Sequence, residues 1–402
     1  MTNKAVIIDY ARSAFAKAST PKQPGRLSDV DPVDLIVPVV NALMERTGID
    51  PKHIKKILLG NVHQEAQQGL NIARMSVLHE DSVLDNNVTS GTTIDRFCGS
   101  SLEAIAMADG FLARQPDDVY ICAGVQSMSM VPMSGLNPLI NAKVQGGNAP
   151  GFMNMGITAE NLATAYDISR ADQDAFAVAS NQKTTAAHAK GHFTNEIVPI
   201  NGVDYDDGPR ADSSIESLGK LRTVFKDAKS GGSVTPGNAS QITDGASAVM
   251  VTSESFAAAN NLPIKAVILS YGESSLAPEI MGLGPVGASK EALERAGLTM
   301  DDIDVVELNE AFSAQSIAVM KELDRQGMAI APEKVNLDGG AIAMGHPLGA
   351  SGARIVGHLA EVLQRENKRY GLATMCIGGG QGVAMVIENP AAAAKAPTPG
   401  PV

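Results

Sequence analysis

The chain repeats three parts of its own sequence in the same order, and this repetition restricts its fold more than any other feature. The matched pairs are 45–59 with 294–308, 99–106 with 349–356, and 119–124 with 373–378. The members of the pairs lie 249, 250 and 254 residues apart, so their separation is nearly constant. Matches of this kind indicate that one structural unit was duplicated. Two copies of a unit pack most simply about a pseudo-two-fold axis.

Periodicity predicts that the repeated unit contains both strands and helices. Apolar, β-branched runs predict strands at 4–10, 54–59 and 119–123. Helical spacing of apolar residues predicts helices at 32–47 and 69–79. Asp31 and Pro32 provide the start signal of the first helix. Alternating strands and helices indicate the α/β class, with layers of helices against a sheet.

Composition excludes several functional classes. The 402 residues carry a formal net charge of −12 at pH 7, which argues against nucleic acid or an anionic membrane surface as a general partner. Three cysteines cannot form a disulfide framework, so we expect a reducing compartment, by default the cytoplasm. The N-terminus lacks the features of a secretory signal, and no apolar stretch reaches the roughly 18 residues that a membrane span requires.

One long block has no counterpart in the repeat. It runs from about 128 to 243, begins with Met- and Pro-rich sequence, and ends in a Gly-rich, basic segment. Within it, helical spacing predicts a helical stretch at 158–190. An insertion of this length is typical of a lid or a ligand-binding lobe. The Ala- and Pro-rich tail from Pro390 is predicted to be disordered.

The stretch 91–110 contains the first candidate for chemistry, Cys98. A β-branched run from Thr92 to Ile94 precedes it and helical spacing follows it, so the sequence places Cys98 at a strand-to-helix turn. At such a turn the thiol meets the free N–H groups of a helix start, which favour the thiolate and lower a cysteine pKa from about 8.5. A buried structural cysteine is the alternative explanation for Cys98 taken alone.

Three further candidates follow predicted strands or lie in glycine-rich turns. His346 lies in GGAIAMGHPLGASG, close to the repeat counterpart of the Cys98 turn. Cys376 ends a predicted strand before three glycines, whose N–H groups can approach a ligand oxygen as an oxyanion hole requires. A dinucleotide-binding loop is disfavoured there because a strand, not a helix, is predicted to follow. Asn309, in NEAF, is placed either to orient a water or carbonyl or to cap a helix.

Together these motifs resemble the thiolase family. DRFCGSSLEA, NEAF, GGAIAMGHPLGASGAR and CIGGGQG stand in the order, spacing and duplicated context of that family, and the resemblance extends to about residue 389. It implies a duplicated, layered αβαβα fold with an inserted loop domain. The implied division is 1–127 plus 244–262 for the N-terminal half with its nucleophile, 128–243 for the inserted CoA-binding loop domain, 263–389 for the C-terminal half and 390–402 for a disordered tail.

The resemblance also implies a role for each reactive residue. Cys98 corresponds to the nucleophile that becomes acylated, His346 to the base that takes its proton, and Cys376 to a second cysteine that shuttles protons. One oxyanion hole is implied at His346 with a water held by Asn309, and the other at the backbone N–H groups of Cys98 and Gly378. The implied chemistry needs no metal and no permanently bound cofactor, because a thiolate attacks and leaves readily.

Coenzyme A is the implied co-substrate. The positions that match CoA-contacting residues of the family are Arg210, Ser217, Phe225 and Ser240 in the inserted block, with Met281 and Phe312 near the reacting groups. The runs at 155–161 and 169–180 resemble degradative 3-ketoacyl-CoA thiolases more closely than acetoacetyl-CoA-forming members. Asn154 stands where some biosynthetic members carry a histidine.

The leading prediction is an acyltransferase that cleaves 3-ketoacyl-CoA with CoA into acetyl-CoA and a shortened acyl-CoA, as in fatty acid β-oxidation. Two relatives of this reaction remain open: an acetoacetyl-CoA-forming acetyl-CoA acetyltransferase, and a decarboxylating ketosynthase, which would need a second histidine where Cys376 stands. A different class is an inactive CoA- or lipid-binding scaffold. The resemblance implies a homodimer or homotetramer and leaves open a complex with a hydratase/dehydrogenase subunit.

Overall fold

The structure is a computed structural model that describes residues 3–145, 151 and 153–393. Within these residues, eleven strands belong to one mixed sheet. The strands are β1 (Ala5–Ser13), β2 (Ala16–Lys17), β3 (Ile54–Gly60), β4 (Ser90–Ile94), β5 (Val119–Ser127), β6 (Ile197–Val198), β7 (Thr243–Ser253), β8 (Ala266–Ser275), β9 (Val305–Leu308), β10 (Tyr370–Ile377) and β11 (Gln381–Glu388).

The helices surround and separate the two halves of this sheet. They are α1 (Pro32–Thr47), α2 (Ile72–Leu78), α3 (Ser100–Leu112), α4 (Ala142–Gln145), α5 (Met155–Ala165), α6 (Arg170–Ala189), α7 (Ile215–Gly219), α8 (Glu254–Ala259), α9 (Gly284–Ala296), α10 (Ser313–Arg325), α11 (Ala341–Met344), α12 (Ser351–Arg365) and α13 (Pro390–Ala393). In the described part of the chain, none of them combines the length and the apolar composition needed to cross a membrane.

Apart from the edge strand β4, the strand order has the symmetry that a duplicated unit requires. The path along the sheet is β4-β3-β5-β7-β1-β8-β11-β10-β9, with β2 beside β7 and β6 beside β1. In the first half β3 runs parallel to β5, and antiparallel pairing joins β5 to β7 and β7 to β1. In the second half β9 runs parallel to β10, and antiparallel pairing joins β10 to β11 and β11 to β8. The halves meet where β1 and β8 pair antiparallel.

Helices and strands alternate in five layers. One apolar core joins α1 and α2 to the outer face of the first half, and another joins α9 and α10 to the outer face of the second. Between the halves, Ile105 of α3 and Leu359 of α12 share a third core with Val249 of β7 and Met375 of β10. Every residue of α12 from 351 to 360 is buried, because this helix meets protein on all sides. The arrangement is the predicted αβαβα sandwich.

Local signals in the sequence located most elements. Helix α1 occupies the predicted range, and Asp31 Oδ1 accepts a hydrogen bond from Val33 N at 2.9 Å as its cap. The single helical stretch predicted at 158–190 is wrong, because α5 ends at Ala165 and Ser169 begins α6 with a capping box. The helical spacing of apolar residues continues across that break, so the periodicity of the sequence did not reveal it.

The predicted disorder of the tail is wrong for its first residues. Residues 390–393 form α13, and Asn389 Oδ1 accepts a hydrogen bond from Ala391 N at 3.0 Å as its cap. Asn389 is itself buried, and its side chain donates to Leu363 O at 3.0 Å. The helical turn is therefore attached to the end of α12, which composition alone did not indicate. The rest of the predicted tail, 394–402, lies outside the described residues.

The two halves approach so closely at Gly124 that no side chain fits there. A Cβ atom on Gly124 would lie 2.1 Å from the carbonyl oxygen of Gly349, in the turn before α12. That turn is held in place, since Gly349 N donates to Gln126 Oε1 at 3.2 Å. Gly124→Ala is therefore expected to lower the free energy of unfolding by about 1–3 kcal/mol, measured by chemical denaturation.

Gly110→Ala, in α3, is the matched control for that variant. A Cβ atom on Gly110 meets no other atom within 4 Å. Alanine stabilises a helix interior over glycine by roughly 0.5–1 kcal/mol, so we expect this variant to be at least as stable as the wild type. Equal unfolding free energies for the two variants would contradict the close approach at Gly124.

Candidate active site

The N-terminal ends of α3 and α12 face each other at the centre of the molecule. A Cβ atom on Gly352, in the first turn of α12, would lie 2.3 Å from Leu102 N of α3. Ser101 Oγ accepts a hydrogen bond from Ala353 N at 2.9 Å. The predicted face-to-face packing of the two repeat-related helices is thus confirmed. The turns that precede them carry the candidate residues.

Cys98 lies in the turn between β4 and α3, as the sequence predicts. Phe97 has a φ of 47°, and Gly99 is the cap residue of α3. Arg96 anchors the turn through ion pairs with Glu103 of α3 at 2.5 Å and with Glu273 of β8 at 2.7 Å. Cys98 is 8% exposed. The thiol is therefore enclosed by the protein but not sealed from substrate.

The turn between β10 and β11 directs a backbone N–H at Cys98. The two strands form a hairpin, and Gly379 and Gly380 in its turn have φ values of 79° and 83°. Residues with a side chain rarely adopt this conformation, so the turn requires glycine. The backbone N–H groups of Gly378 and of Cys98 itself are close enough to the Cys98 sulfur to favour its thiolate and so lower the pKa of Cys98. These are the two donors that the sequence predicts for an oxyanion hole.

Cys376 lies beside Cys98, at the end of β10. Its sulfur is close enough to that of Cys98 for the two to interact electrostatically. It is fully buried in an apolar cluster with Met281 and Ala311. The structure therefore brings the two cysteines near each other.

Burial raises the pKa of both cysteines. Loss of hydration raises the pKa of Cys98 to about 11, although the two N–H donors lower it. Loss of hydration also raises the pKa of Cys376, and the nearby Cys98 adds to the rise. The lowered Cys98 pKa expected from the helix start is therefore wrong, because the cost of desolvating a thiolate exceeds the benefit of the N–H groups. Both side chains rest as thiols at neutral pH and need a base.

His346 lies in the turn before α12 and is hydrogen-bonded at both ring nitrogens. Nδ1 lies 2.6 Å from Ser351 Oγ, and that hydroxyl donates its one proton to Pro347 O at 3.0 Å. This network assigns the ring proton to Nδ1 and leaves Nε2 as the acceptor. Asn309 Nδ2 lies 3.4 Å from Nε2, which agrees with this tautomer. Nε2 is thus the nitrogen that can take a proton.

His346 is neutral at physiological pH. Its burial, with a contribution from the positive charge of Arg354, lowers its pKa to about 3. A neutral imidazole is the form that accepts a proton from a substrate or a nucleophile. The resting structure therefore contains a neutral imidazole at His346 and neutral thiols at Cys98 and Cys376.

Asn309 directly follows β9 and is held against β10. Its backbone N–H donates to Thr374 O at 3.0 Å, and its side chain is fully buried. The adjacent Glu310 accepts hydrogen bonds from Ser180 Oγ of α6 at 2.6 Å and from Asn336 Nδ2 at 2.8 Å. The NEAF motif therefore joins the sheet to a helix of the inserted segment, and Glu310 supports the position of Asn309.

Four of the six residues expected to contact CoA lie around the reacting groups. The rings of Phe225 and Phe312 meet edge to face with centroids 6.1 Å apart. Ser240 N donates to Ala311 O at 3.0 Å, next to Phe312. Met281 belongs to the same apolar cluster as Ala311. This group lies beside Cys376.

The other two expected CoA contacts are exposed on the inserted segment. Ser217 is part of the capping box of α7, where its hydroxyl donates to Ser214 O at 2.9 Å. The side chain of Arg210 is exposed, and its charge lowers the pKa of nearby Lys17 after the effect of partial burial. Asn154 is also exposed and caps α5, since its Oδ1 accepts from Gly156 N at 2.9 Å.

Comparison with known families identifies the chain. Residues 5–255 match the model of the Thiolase, N-terminal domain, and residues 262–389 match that of the Thiolase, C-terminal domain. This chain belongs to the thiolase family. The family resemblance that the sequence motifs predict is confirmed.

Similar thiolases include proteins with two different names. The 3-ketoacyl-CoA thiolase of Pseudoalteromonas translucida is 42% identical, and the match covers 96% of this chain and 99% of the relative. The acetyl-CoA acetyltransferase of Escherichia coli is 41% identical, with 96% and 98% covered. Among solved structures, human mitochondrial 3-ketoacyl-CoA thiolase in complex with CoA superposes with a TM-score of 0.86 at 34% identity, covering 96% and 98%. The predicted thiolase fold is thereby confirmed.

Two residues of this thiolase site escaped the sequence analysis. Ser351 is equivalent to Ser101 in the internal repeat. The repeat did not indicate that the Ser351 hydroxyl selects the tautomer of His346. Glu310 follows Asn309 directly, and its acidic side chain gave no sign that it is buried. Among the described residues, no group of three or more His, Cys, Asp or Glu side chains is arranged to hold a metal ion.

Proposed function

We propose that this thiolase cleaves 3-ketoacyl-CoA with CoA, giving acetyl-CoA and a shortened acyl-CoA through an acyl group on Cys98. The observation that carries the proposal is the proximity of Cys98 to Cys376 and to the Gly378 N–H. The neutral, oriented imidazole of His346 supplies the base that such a site needs. Relatives named 3-ketoacyl-CoA thiolase support the degradative reaction.

The first step is acylation at the ketone carbon of the substrate. The Cys98 sulfur forms a bond to that carbon while its proton passes to His346 Nε2. We assign the N–H groups of Cys98 and Gly378, which lie near the sulfur, to the ketone oxygen as it gains negative charge. One such donor is typically worth about 3 kcal/mol in the transition state. The adjacent carbon–carbon bond then breaks, and the acyl group remains on Cys98 as a thioester.

The second product leaves as the enolate of acetyl-CoA. His346 Nε2, now protonated, is a hydrogen-bond donor and lies 3.4 Å from Asn309 Nδ2. His346 and a water held by Asn309 bind the enolate oxygen. Cys376 donates its proton to the enolate carbon and becomes a thiolate. Its raised pKa makes that thiolate a strong base for the thiol of incoming CoA.

The reaction closes with transfer of the acyl group to CoA. The CoA thiolate attacks the thioester carbon, the bond to Cys98 breaks, and the departing Cys98 sulfur recovers its proton from His346. Two thiols of similar basicity exchange the acyl group, so neither direction is strongly opposed. These steps require CoA only as co-substrate, and we propose no permanently bound cofactor.

The inserted segment is the proposed binding site for CoA. We assign the contacts to Arg210, Ser217, Phe225 and Ser240, with Met281 and Phe312 next to the reacting carbon atoms. The position of the last four beside the cysteines supports this assignment. With this assignment we propose that the chain is divided into an N-terminal half (1–127 plus 244–262), a CoA-binding loop domain (128–243) and a C-terminal half (263–389). A human relative solved in complex with CoA is consistent with it.

We also propose a homodimer or homotetramer in the cytoplasm. Leu70 and Leu139 are each 88% exposed, and their burial between subunits would remove apolar surface from water. Light scattering after size-exclusion chromatography measures the mass of the particle. Co-purification of a hydratase/dehydrogenase subunit from the native source would instead favour a multienzyme complex.

The chain length of the substrate distinguishes this proposal from its main alternative. A relative named acetyl-CoA acetyltransferase is 41% identical to this chain, so acetoacetyl-CoA formation is the second candidate function. We expect kcat/KM for thiolysis to be higher for medium or long 3-ketoacyl-CoA than for four-carbon acetoacetyl-CoA. A preference for the four-carbon substrate would favour the acetyltransferase. Tight CoA binding without turnover at any chain length would favour a scaffold.

A further inference from the structure

One buried ion pair joins the two elements that carry His346 and Asn309. Arg354 lies on α12, which begins just after the His346 turn, and Glu307 lies on β9, which ends just before Asn309. Arg354 Nη1 donates to Glu307 Oε2 at 2.8 Å, with side chains 2% and 0% exposed. We infer that the Arg354–Glu307 pair positions the imidazole of His346 against the amide of Asn309. The inference rests on the proposed role of His346 as the base.

Stability alone does not account for this pair. Burying two charges costs hydration, and apolar residues of similar volume usually stabilise a core as well or better. The cost is not fully offset here, because Arg354 Nε and Glu307 Oε1 have no hydrogen-bond partner in the described part of the chain. An incompletely satisfied charge pair at the centre of a protein indicates a function for the charges.

The pair controls a short distance between reacting groups. Glu307 is paired with Ala373 in the register of β9 and β10, so it is fixed relative to the strand that ends in Cys376. Arg354 is fixed by α12, where its N–H donates to Ala350 O at 3.2 Å. The ion pair is therefore a direct link between helix and strand. Asn309 Nδ2 and His346 Nε2 are only 3.4 Å apart, so a shift of about 1 Å would separate them.

The pair also places a positive charge near the imidazole. The neutral groups around His346 are Ser351 Oγ from α12, Asn309 Nδ2 from the end of β9, and Thr243 Oγ1, which accepts from His346 N at 3.1 Å. The charge that acts on the ring is that of Arg354, and it opposes formation of an imidazolium.

Glu307 balances the charge of Arg354 from the opposite side. Burial raises the pKa of this carboxyl group overall; the charges of His358 and Arg354 lower it, and those of Asp338 and Glu310 add to the rise. Removal of Arg354 and removal of Glu307 should therefore change the electrostatic field at His346 in opposite directions. These opposite changes distinguish an electrostatic and positioning role of the pair from a merely structural role.

The test is the pH dependence of two rates in matched variants. The variants are Arg354→Met, Arg354→Lys, Glu307→Gln and the apolar double variant Arg354→Met/Glu307→Leu. The rates, measured between pH 3 and 9, are kcat/KM for thiolysis and the alkylation of Cys98 by iodoacetamide, followed by mass spectrometry. Arg365→Met, which removes a cation from the last turn of the same helix, is the control.

We expect Arg354→Met to lose activity preferentially at low pH, and the double variant to do so to a smaller extent, because it also removes the opposing charge of Glu307. In Arg354→Met the ratio of rates at pH 5 and pH 3 should rise about fivefold over that of the wild type, as a one-unit rise of the His346 pKa from about 3 requires. Arg354→Lys keeps the charge but not the geometry of the single guanidinium contact with Glu307, so its rate should fall at every pH with an unchanged profile. Glu307→Gln should move the profile towards lower pH or leave it in place, and Arg365→Met should match the wild type.

Several outcomes would overturn the inference. Equal losses at every pH in Arg354→Met, or shifts of the same sign in Arg354→Met and Glu307→Gln, would show a structural role only. If Arg354→Met fails to fold, the double variant and Arg354→Lys carry the test, and a profile of the double variant equal to that of the wild type would exclude the role. Failure of the wild type to cleave any 3-ketoacyl-CoA would reject the proposed function instead, while the alkylation rates would still report on the pair.

Discussion

Cys98→Ala is expected to abolish thiolysis, with a fall in kcat of at least about 10⁴-fold, and to abolish acyl labelling of the protein. The physical reason is that no other group at the site can form the thioester: Cys376 is completely buried, and burial and the nearby Cys98 both raise its pKa. The measurement combines steady-state thiolysis with mass spectrometry of the intact chain after brief incubation with substrate. The wild type should gain one acyl group and the variant none.

Cys122→Ala is the control for that experiment. Cys122 lies on β5 at the repeat position of Cys376, is fully buried, and donates from its sulfur to Ala104 O at 3.4 Å. The substitution removes a sulfur of the same kind from the other half of the duplication, so we expect ordinary turnover and a small loss of stability. A fully active Cys98→Ala protein, or acyl labelling that persists in it, would reject the proposed mechanism.

His346→Ala is expected to slow acylation by about 10²–10⁴-fold at pH 7, the usual contribution of a positioned base. Without the imidazole, only the small thiolate fraction of Cys98 reacts. Because burial raises the pKa of Cys98 to about 11, the residual rate should increase about tenfold per pH unit from pH 7 to 9.5. The wild-type rate should change far less, because the low pKa of His346, about 3, keeps its base form available throughout.

A histidine outside the site provides the comparison. His53 packs edge-on against Phe256 with ring centroids 5.2 Å apart, and it belongs to a short turn before β3. His53→Ala should retain the pH profile of the wild type. A pH-independent rate in His346→Ala would mean that Cys98 is already a thiolate at rest, which contradicts the effect of its burial.

The duplication explains how much of the fold the sequence could predict. Each half contains the same short apolar runs and helical spacings, and such patterns report on which face of a strand or helix is buried. The repeat therefore predicted two halves about a pseudo-two-fold axis and the meeting of α3 with α12, whereas the layered αβαβα arrangement was implied by the family resemblance. It could not show the break between α5 and α6, because apolar spacing continues through a region where Ser169 starts a new helix.

The candidate residues were predicted with less detail than the fold. The local sequence places Cys98 in a turn before a helix and Cys376 before three glycines, because both of these patterns are formed by neighbouring residues in the chain. It does not distinguish Cys376 from Cys122, which occupies the same position in the other half of the duplication. Only the packing shows that one sulfur lies beside Cys98 and the other donates to a helix carbonyl.

The sequence by itself determined the family, the duplicated architecture and the residue types at the site. The tertiary structure decided their protonation: a thiol at Cys98 despite its helix start, a neutral His346 with its proton on Nδ1, and a charge pair of Arg354 and Glu307 behind it. The physical reason is that periodicity and spacing are properties of neighbours along the chain. Hydration and electrostatic fields depend instead on groups that are distant in sequence and meet only when the two halves close around them.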